Sequence, residues 1–247
     1  MGCSLEGLLW AWIILNSGVC SVILPEITDR RFIAECVKGH NRARSAVSPP
    51  ASNMEYMTWD EDLAIIAKGW AENCVFEHNP RRSESTATSV GENIWTGYPP
   101  SSFETAGAIH SWDNEKEFYD YANNRCSKVC GHYTQVVWAS SNKVGCAAHL
   151  CPNGVQESGF GAKAGVIFVC NYAPSGNVNR RRPYDSEGAA CSGCEGACVD
   201  NLCRSGWAPE SQSQIVDVLV VRLIVLIFTF VAAYAVRHFY PDIFCYE

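Results

Sequence analysis

The sequence predicts an α+β domain with helices packed on both faces of one sheet, followed by a cysteine-rich segment and a membrane helix. Apolar residues recur at helical spacing in the amino-terminal half, and β-favouring apolar runs follow at 144–149 and 166–172. Helices and strands mixed within one unit of about 160 residues favour a layered sandwich. The chain also has 14 cysteines in 247 residues, which indicates an oxidising compartment.

The charge and composition exclude several classes of protein. The formal net charge is −7, from 26 acids against 19 Lys and Arg, whereas nucleic-acid-binding proteins are usually basic. The 8 Trp, together with moderate contents of Gly and Pro, exclude a disordered or collagen-like chain. We therefore expect a folded protein with no nucleic-acid partner.

The amino-terminal segment, residues 1–20, is predicted to be a signal peptide. Its apolar run, Leu8 to Leu15, has eight residues, which is too short to cross a bilayer and typical of a signal-peptide core. Gly18 and Cys20 provide the small residues expected before a cleavage site at Ser21. We therefore expect the chain to enter the secretory pathway.

Two amphipathic helices are predicted before residue 80. The first carries these residues at helical spacing: Phe32, Ile33, Cys36, Val37 and His40. The second is predicted to start at Thr58, because Glu61, three residues later, completes a capping box. Its buried stripe consists of Leu63, Ile66, Ala67, Trp70, Ala71 and Cys74.

A third helix and two strands complete the predicted domain. Ser101 and Glu104 repeat the capping-box pattern and predict a helix that carries Ile109 and Trp112. The apolar, β-favouring runs 144–149 and 166–172 are the two predicted strands.

Residues 179–207 are predicted to form a linker and a cysteine-rich hinge. The hinge has four cysteines within 13 residues: Cys191, Cys194, Cys198 and Cys203. Two disulfides are favoured over a zinc site, because four-cysteine zinc sites usually separate two CxxC pairs by about a dozen residues or more. The run Arg180-Arg181-Arg182 is interpreted as a solvated linker, with proteolytic processing as the alternative.

The carboxyl-terminal segment is predicted to anchor the chain in a membrane. After a juxtamembrane linker at 208–217, residues 218–236 are apolar except for Arg222, whose long side chain can reach the interface. Basic residues at the start of 237–247 favour a cytoplasmic tail. We expect a single-pass type I membrane protein with its domain extracellular or luminal; a secreted protein is the alternative.

Four ordered motifs stand out along the chain: His40-Asn41-x-x-Arg44, Gly91-Glu92-Asn93-Ile94, GHYTQVVW at 131–138 and IFVCNYAPSGNV at 167–178. They resemble the motifs of the CAP superfamily, which groups cysteine-rich secretory proteins, antigen 5 and pathogenesis-related 1 proteins. Other stretches, such as YMTWD at 56–60, are similar to the glioma pathogenesis-related protein 1 branch. The resemblance implies a three-layer α-β-α sandwich over residues 21–178, with a surface cleft.

The resemblance also implies that two His and two Glu line this cleft. Matching the motifs assigns these roles to His78, Glu92, Glu115 and His132. Imidazole and carboxylate groups are ligands for Zn²⁺ and similar ions, so we expect weak binding of Zn²⁺ or another divalent cation. The alternative is that the Glu and His side chains hydrogen-bond one another and hold the loops around the cleft.

A further theme of the superfamily is the binding of sterols or fatty acids. The nearest match to its aromatic loop is Phe118, Tyr119 and Tyr121, with ordinary aromatic packing as the alternative. No HExxH, GxSxG or Walker-type motif occurs, so we expect no enzyme, with a metal-assisted hydrolase as an alternative. The leading prediction is a membrane-anchored extracellular module that binds an unidentified protein or lipid; a sterol or fatty-acid carrier is the second.

The disulfide pattern expected from the resemblance has four pairs: Cys74–Cys151, Cys146–Cys170, Cys191–Cys198 and Cys194–Cys203. Among the remaining luminal cysteines, Cys126–Cys130 is assigned as a local loop closure. Cys36 is then left as a buried free thiol on the first helix.

Overall fold

The structure, a computed structural model, describes residues 22–178, 180–204 and 212–239. The predicted signal peptide, the juxtamembrane linker before residue 212 and most of the predicted tail lie outside these residues. The chain divides into two compact units, Met1–Arg204 and Ser205–Glu247.

The first unit contains a four-stranded sheet with the order β1-β5-β6-β2. Strands β1 and β5 are parallel, and the other neighbours are antiparallel. The strands of the first unit are β1 (Thr58–Trp59), β2 (Gly91–Gly97), β3 (Tyr119–Asp120), β4 (Arg125–Cys126), β5 (Lys143–Cys151), β6 (Gly165–Ala173), β7 (Ala197–Val199) and β8 (Leu202–Arg204). Its helices are α1 (Arg30–Ser45), α2 (Glu61–Ala71), α3 (Thr105–Asn114) and α4 (Gly131–Val136).

Helices cover both faces of this sheet. Successive β6 side chains point to opposite faces, as in any strand. Phe168 and Tyr172 join the larger core cluster with residues of α1, α3 and α4, whereas Ile167 and Val169 join a second cluster with α2. The predicted three-layer α-β-α sandwich is therefore confirmed, and the two predicted strands are β5 and β6.

The predicted start of the second helix, at Thr58, is wrong. Thr58 and Trp59 instead pair with β5, and the helix begins at Glu61. Its N-cap is Asp60, whose carboxylate accepts a hydrogen bond from Leu63 N at 3.1 Å. Sheet pairing therefore overrides the local capping pattern.

The predicted start of the third helix, at Ser101, is also wrong. Ser101 lies in a 3-10 turn, Pro100–Ser102, and α3 begins only at Thr105. Between them Phe103 is extended, and its ring packs 5.6 Å from the rings of Trp95 and Phe168. Burying this ring against the sheet separates the turn from the helix.

Strand β2 and helix α4 have no counterpart among the predicted elements. Strand β2 contains two Gly, an Asn and a Glu, which are residues that strands usually disfavour, and its pairing with β6 along its own whole length stabilises it. Helix α4 has only 6 residues, which is too short for helical periodicity to be recognised.

The cysteine-rich hinge packs onto the domain instead of standing apart from it. Cys203 N donates to Met54 O at 2.7 Å, and Tyr56 N donates to Cys203 O at 2.9 Å. Leu202 belongs to the larger core cluster. Residues up to Arg204 therefore share one compact unit with the sandwich.

The disulfides among the described residues are Cys74–Cys151, Cys126–Cys130, Cys146–Cys170, Cys191–Cys198 and Cys194–Cys203. These are the pairs that the sequence led us to expect. Cys36 is unpaired and fully buried on α1, where burial raises the pKa of its thiol.

The described part of the second unit is helix α5 (Gln212–Phe239). Its stretch Val220–Phe239 has 20 residues and a mean hydropathy of 2.1, so it is long and apolar enough to cross a membrane. Arg237 and His238 lie in its last turn. The predicted span, 218–236, falls within this helix.

Candidate functional site

The first predicted pair, His78 and Glu92, is joined by a hydrogen bond. Glu92 Oε1 accepts from His78 Nδ1 and from Asn79 N, both at 2.9 Å. In the amide orientation of Asn171 in which its oxygen accepts from Ala67 N, its NH₂ group donates to Glu92 Oε2 at 3.2 Å. The Glu92 side chain is 0% exposed, whereas that of His78 is 59% exposed. The buried Glu92 carboxylate therefore holds in place an imidazole that is accessible to solvent.

The second predicted pair, His132 and Glu115, lies where α3 ends and α4 begins. Glu115 Oε1 bonds His132 Nδ1 at 2.6 Å, while Oε2 accepts from His132 N at 3.0 Å and from Tyr133 N at 3.2 Å. The carboxylate thus caps otherwise unpaired amides at the start of α4. The Trp112 ring stacks on the His132 ring, with centroids 6.2 Å apart, and fixes its plane.

Both pairs determine which imidazole nitrogen is available. A carboxylate only accepts hydrogen bonds, so each Nδ1 carries the proton and each Nε2 of the neutral ring has a free lone pair. This is the arrangement in which a carboxylate orients a metal-binding histidine. The four predicted residues therefore form two carboxylate-oriented imidazoles.

The four residues do not form one compact cluster of ligands. Within the described ranges, no group of three His, Asp or Glu ligand atoms lies within 4.8 Å of one another. Among the described residues, the three ligand atoms that do lie within 4.8 Å of one another are the sulfurs of Cys191, Cys194 and Cys203, and all three are in disulfides. Disulfide sulfurs are not thiolates, so this cluster offers no zinc site.

Asn93 links the two pairs through the backbone. It follows Glu92 on β2, and its Nδ2 lies 3.0 Å from His132 O and 3.2 Å from Tyr172 OH. Asn93 is 1% exposed, so these bonds are shielded from water. The sequence motif Gly-Glu-Asn thus contributes Glu92 to the first pair and, through Asn93, a hydrogen bond to the backbone of His132 in the second.

Tyr172 continues this network into the core. Its hydroxyl lies 2.8 Å from His40 Nε2, and His40 Nδ1 lies 2.8 Å from Cys36 O. Burial, with a smaller contribution from the Arg44 charge, lowers the pKa of His40 to about 4. His40 is therefore a neutral structural residue, enclosed in the core.

Three of the sequence motifs meet around Gln135. Its Oε1 accepts from Gly176 N at 2.9 Å. A Cβ on Gly91 would collide with Oε1 of Gln135, and a Cβ on Gly176 would lie 2.8 Å from its Nε2. Asn93, Tyr172 and Gln135 were not predicted as site residues, although all three lie within the quoted motifs.

The aromatic residues considered for lipid binding are engaged in packing. Tyr121 OH donates to Tyr184 O at 2.8 Å, and the two rings stack with centroids 4.8 Å apart. Tyr119 packs against Tyr121 and Tyr133. Lys128 Nζ lies 4.7 Å from the Phe118 ring centroid. These contacts match the packing alternative.

A separate groove of about 1050 Å³ lies between residues 22–29, α1 and residues 100–106. The half-buried Phe103 contributes aromatic surface to it, and the buried Phe32 lies behind its wall. Lys38 and Arg42, one helical turn apart on α1, place two positive charges beside this surface.

The family of the chain follows from its sequence profile. The profile of the cysteine-rich secretory protein family, CAP, matches residues 37–172. The chain belongs to the CAP family. GLIPR1-like protein 1 of Bos taurus is 48% identical to this CAP protein over 194 residues, 76% of this chain and 77% of the relative. Glioma pathogenesis-related protein 1 of Mus musculus is 46% identical over 195 residues, 77% of this chain and 71% of the relative. The resemblance expected from the motifs is confirmed.

Solved structures share the fold of this CAP protein. Schistosoma mansoni venom allergen-like protein 4 is 28% identical, with a TM-score of 0.51 over 69% of this chain and 100% of that protein. NaASP2, crystallised with Zn²⁺, is 24% identical, with a TM-score of 0.55 over 74% of this chain and 100% of that protein.

Proposed function

We propose that the chain is a membrane-anchored extracellular interaction module whose cleft holds a divalent cation, such as Zn²⁺, weakly. The observation that carries this proposal is the pairing of each cleft imidazole with a carboxylate through Nδ1. His78 and His132 would be the ligands, through Nε2, and Glu92 and Glu115 would orient them. Family membership supports an extracellular binding role.

The donor set favours a weak site. Two imidazole nitrogens leave about two positions of a tetrahedral zinc to water or to a partner's ligand group. The oxygens of Glu92 and Glu115 already accept hydrogen bonds and would have to give these up to bind metal directly. A bound cation would supply open coordination positions that a partner's carboxylate or imidazole can occupy.

The proposed role is binding and not catalysis. In the described part of the chain, the hydrogen bonds of His78 and His132 go to carboxylates, and none joins either imidazole to a Ser, Thr or Cys side chain. The metal-assisted hydrolase remains the enzymatic alternative. It predicts turnover that disappears in His78→Ala and His132→Ala.

Calorimetric titration of the full chain with ZnCl₂, in a non-ionic detergent, tests the cleft. We expect measurable heat for the wild type and none for the His78→Ala/His132→Ala double variant. The matched control is His110→Ala/His149→Ala, which removes as many imidazoles elsewhere in the domain and should keep the wild-type heat. Equal heat in the first double variant and the wild type would refute the metal assignment.

The anchoring part of the proposal rests on α5. No residue of its apolar stretch Val220–Phe239 is buried, and such an apolar surface is unfavourable in water and suitable in a bilayer. We expect the chain to stay in the membrane pellet after alkaline carbonate extraction. A carboxyl-terminal epitope should react with antibody only after permeabilisation; reactivity on intact cells would contradict the type I orientation.

The groove beside α1 favours lipid binding as a second candidate function. The groove is lined by acidic as well as basic side chains, and Lys38 and Arg42, one turn apart on α1, are the pair that would receive the anionic head of an amphiphile such as a fatty acid. Lys38→Glu/Arg42→Glu should weaken binding of a spin-labelled fatty acid, whereas Arg81→Glu, outside the groove, should not. Equal binding by all three proteins, or none by the wild type, would remove this candidate.

A further inference from the structure

Five cationic side chains are collected on one exposed surface of the domain, here called the basic surface. It combines the β3–β4 hairpin and the loop after it with the Arg180–Arg182 segment. Its members are Arg125, Lys128, Arg180, Arg181 and Arg182, all of them exposed.

Specific contacts hold the two parts of the basic surface together. Arg182 Nε donates to Tyr121 O at 3.0 Å, and its guanidinium also donates to Ala122 O at 2.7 Å. Asn124 Nδ2 donates to Arg180 O at 2.7 Å. The arginine segment, which the sequence suggested to be a solvated linker, is therefore fixed along the hairpin.

The charges of the basic surface are largely uncompensated. The side chains of Arg125, Arg180 and Arg181 form no hydrogen bond or ion pair with any residue in 22–178, 180–204 or 212–239. Asp120, opposite Arg125 in the hairpin, bonds Asn123 through both carboxylate oxygens and interacts electrostatically with Arg125, so it offsets part of this one charge, while Arg180 and Arg181 have no such neighbour among the ion pairs of the described residues. A concentration of positive charge in a chain of net charge −7 indicates a polyanionic partner.

We propose that the basic surface binds a sulfated polysaccharide of the cell surface or extracellular matrix. Exposed guanidinium groups bind single anions weakly, but several of them on one surface can bind successive sulfates of a linear chain through charge-assisted hydrogen bonds. A protein partner would need an apolar contact core. Among the large apolar side chains of residues 118–130 and 178–184 that the structure describes, the exposed ones are Val129 and Val178, one on each segment, which is too little for such a core. This inference rests on the extracellular location in the proposed function and is independent of the metal.

Binding of the full chain, in a non-ionic detergent, to immobilised heparin tests the inference. The test variant is Arg125→Ser/Arg180→Ser/Arg181→Ser, which keeps Arg182 and its backbone contacts. The control, Arg30→Ser/Lys38→Ser/Arg42→Ser, removes the same charge from α1. We expect heparin affinity to fall about 10- to 100-fold in the test variant, as for the loss of three cations facing an anionic surface, and by less than about twofold in the control.

The salt dependence of heparin binding provides a second test of the inference. A plot of log affinity against log salt should lose about one unit of slope for each cation removed from the surface. Equal losses in the test and control variants would overturn the inference, because net charge alone would then explain binding. If the protein bound polyglutamate as tightly as heparin, the partner would be an acidic polypeptide and the inference would be overturned. If it preferred phosphatidylserine vesicles to heparin, the partner would be a membrane and the inference would also be overturned. His78→Ala/His132→Ala should bind heparin normally, so failure of the metal site is distinguishable.

Discussion

Replacing Glu115 with Gln is expected to move the proton of the His132 imidazole from Nδ1 to Nε2. The new amide must satisfy the amides of His132 and Tyr133 at one end and His132 Nδ1 at the other. If its oxygen faces the two backbone donors, its NH₂ faces Nδ1, which must then accept. The opposite orientation would point an NH₂ group at two N–H donors and leave buried groups unpaired, at about 1–3 kcal/mol each.

The size of the effect follows from these contacts. Three hydrogen bonds to a carboxylate become bonds to a neutral amide, so we expect the free energy of unfolding to fall by about 1–2 kcal/mol. Metal affinity should fall about 10- to 100-fold, because an Nε2 that carries a proton has no lone pair for a cation. Since a tenfold change in affinity corresponds to about 1.4 kcal/mol, the substitution should weaken metal binding and folding by similar free energies.

Nitrogen-15 NMR of the imidazoles and calorimetry with ZnCl₂ measure both effects. The matched control is Glu117→Gln, on the same 3-10 turn Glu115–Phe118, where the side chain is exposed. It should leave the His132 tautomer and the zinc affinity unchanged. A Glu115→Gln protein that keeps the Nδ1–H form and wild-type zinc affinity would refute the orienting role of Glu115.

Three further predictions concern the core. Burial lowers the pKa of His40 to about 4, so on acidification this imidazole is protonated at a higher pH in the unfolded chain than in the folded one. The free energy of unfolding should therefore drop by about 2–3 kcal/mol between pH 7 and pH 4.5. Urea titrations at the two pH values check this, and His40→Gln should remove most of the drop. Gly145→Ala should lower the thermal midpoint of unfolding, because the new Cβ would collide with the backbone of α2, the helix that covers β5. The control Gly69→Ala should raise this midpoint slightly, because its Cβ meets nothing within 4 Å. A maleimide should label Cys36 in the unfolded, unreduced chain but not in the native protein, and should leave Cys126 unlabelled in both; labelling of Cys126 would contradict the assigned pairs.

Local patterns were sufficient for the layers of the fold and insufficient for its element boundaries. The stripe from Leu63 to Ala71 identified α2 because a helix that buries one face must repeat with its own period; its last predicted member, Cys74, is wrong, since it lies beyond the end of the helix with a positive φ of 55°. The capping boxes at Thr58 and Ser101 failed, since sheet pairing in one case and burial of the Phe103 ring in the other decided the backbone. In both cases the deciding contact is with residues far away in the sequence, so a local capping pattern cannot predict it.

The candidate site shows the same division. Motif matching named both histidines and both carboxylates, but it could not distinguish ligands from the residues that orient them. That distinction depends on which oxygen faces which nitrogen across separate elements, as between Glu115 and His132. The basic surface was missed for a related reason: the hairpin that fixes Arg182 lies about 60 residues away in the sequence.

Nitrogen-15 NMR of the imidazoles during a zinc titration of the full chain tests the central claim most directly. The account predicts that the Nε2 resonances of His78 and His132 shift together, while their Nδ1 resonances keep the protonated form and His110 is unaffected. Shifts at Nδ1, or a response from His110 alone, would contradict the claim that two carboxylate-oriented imidazoles hold the cation.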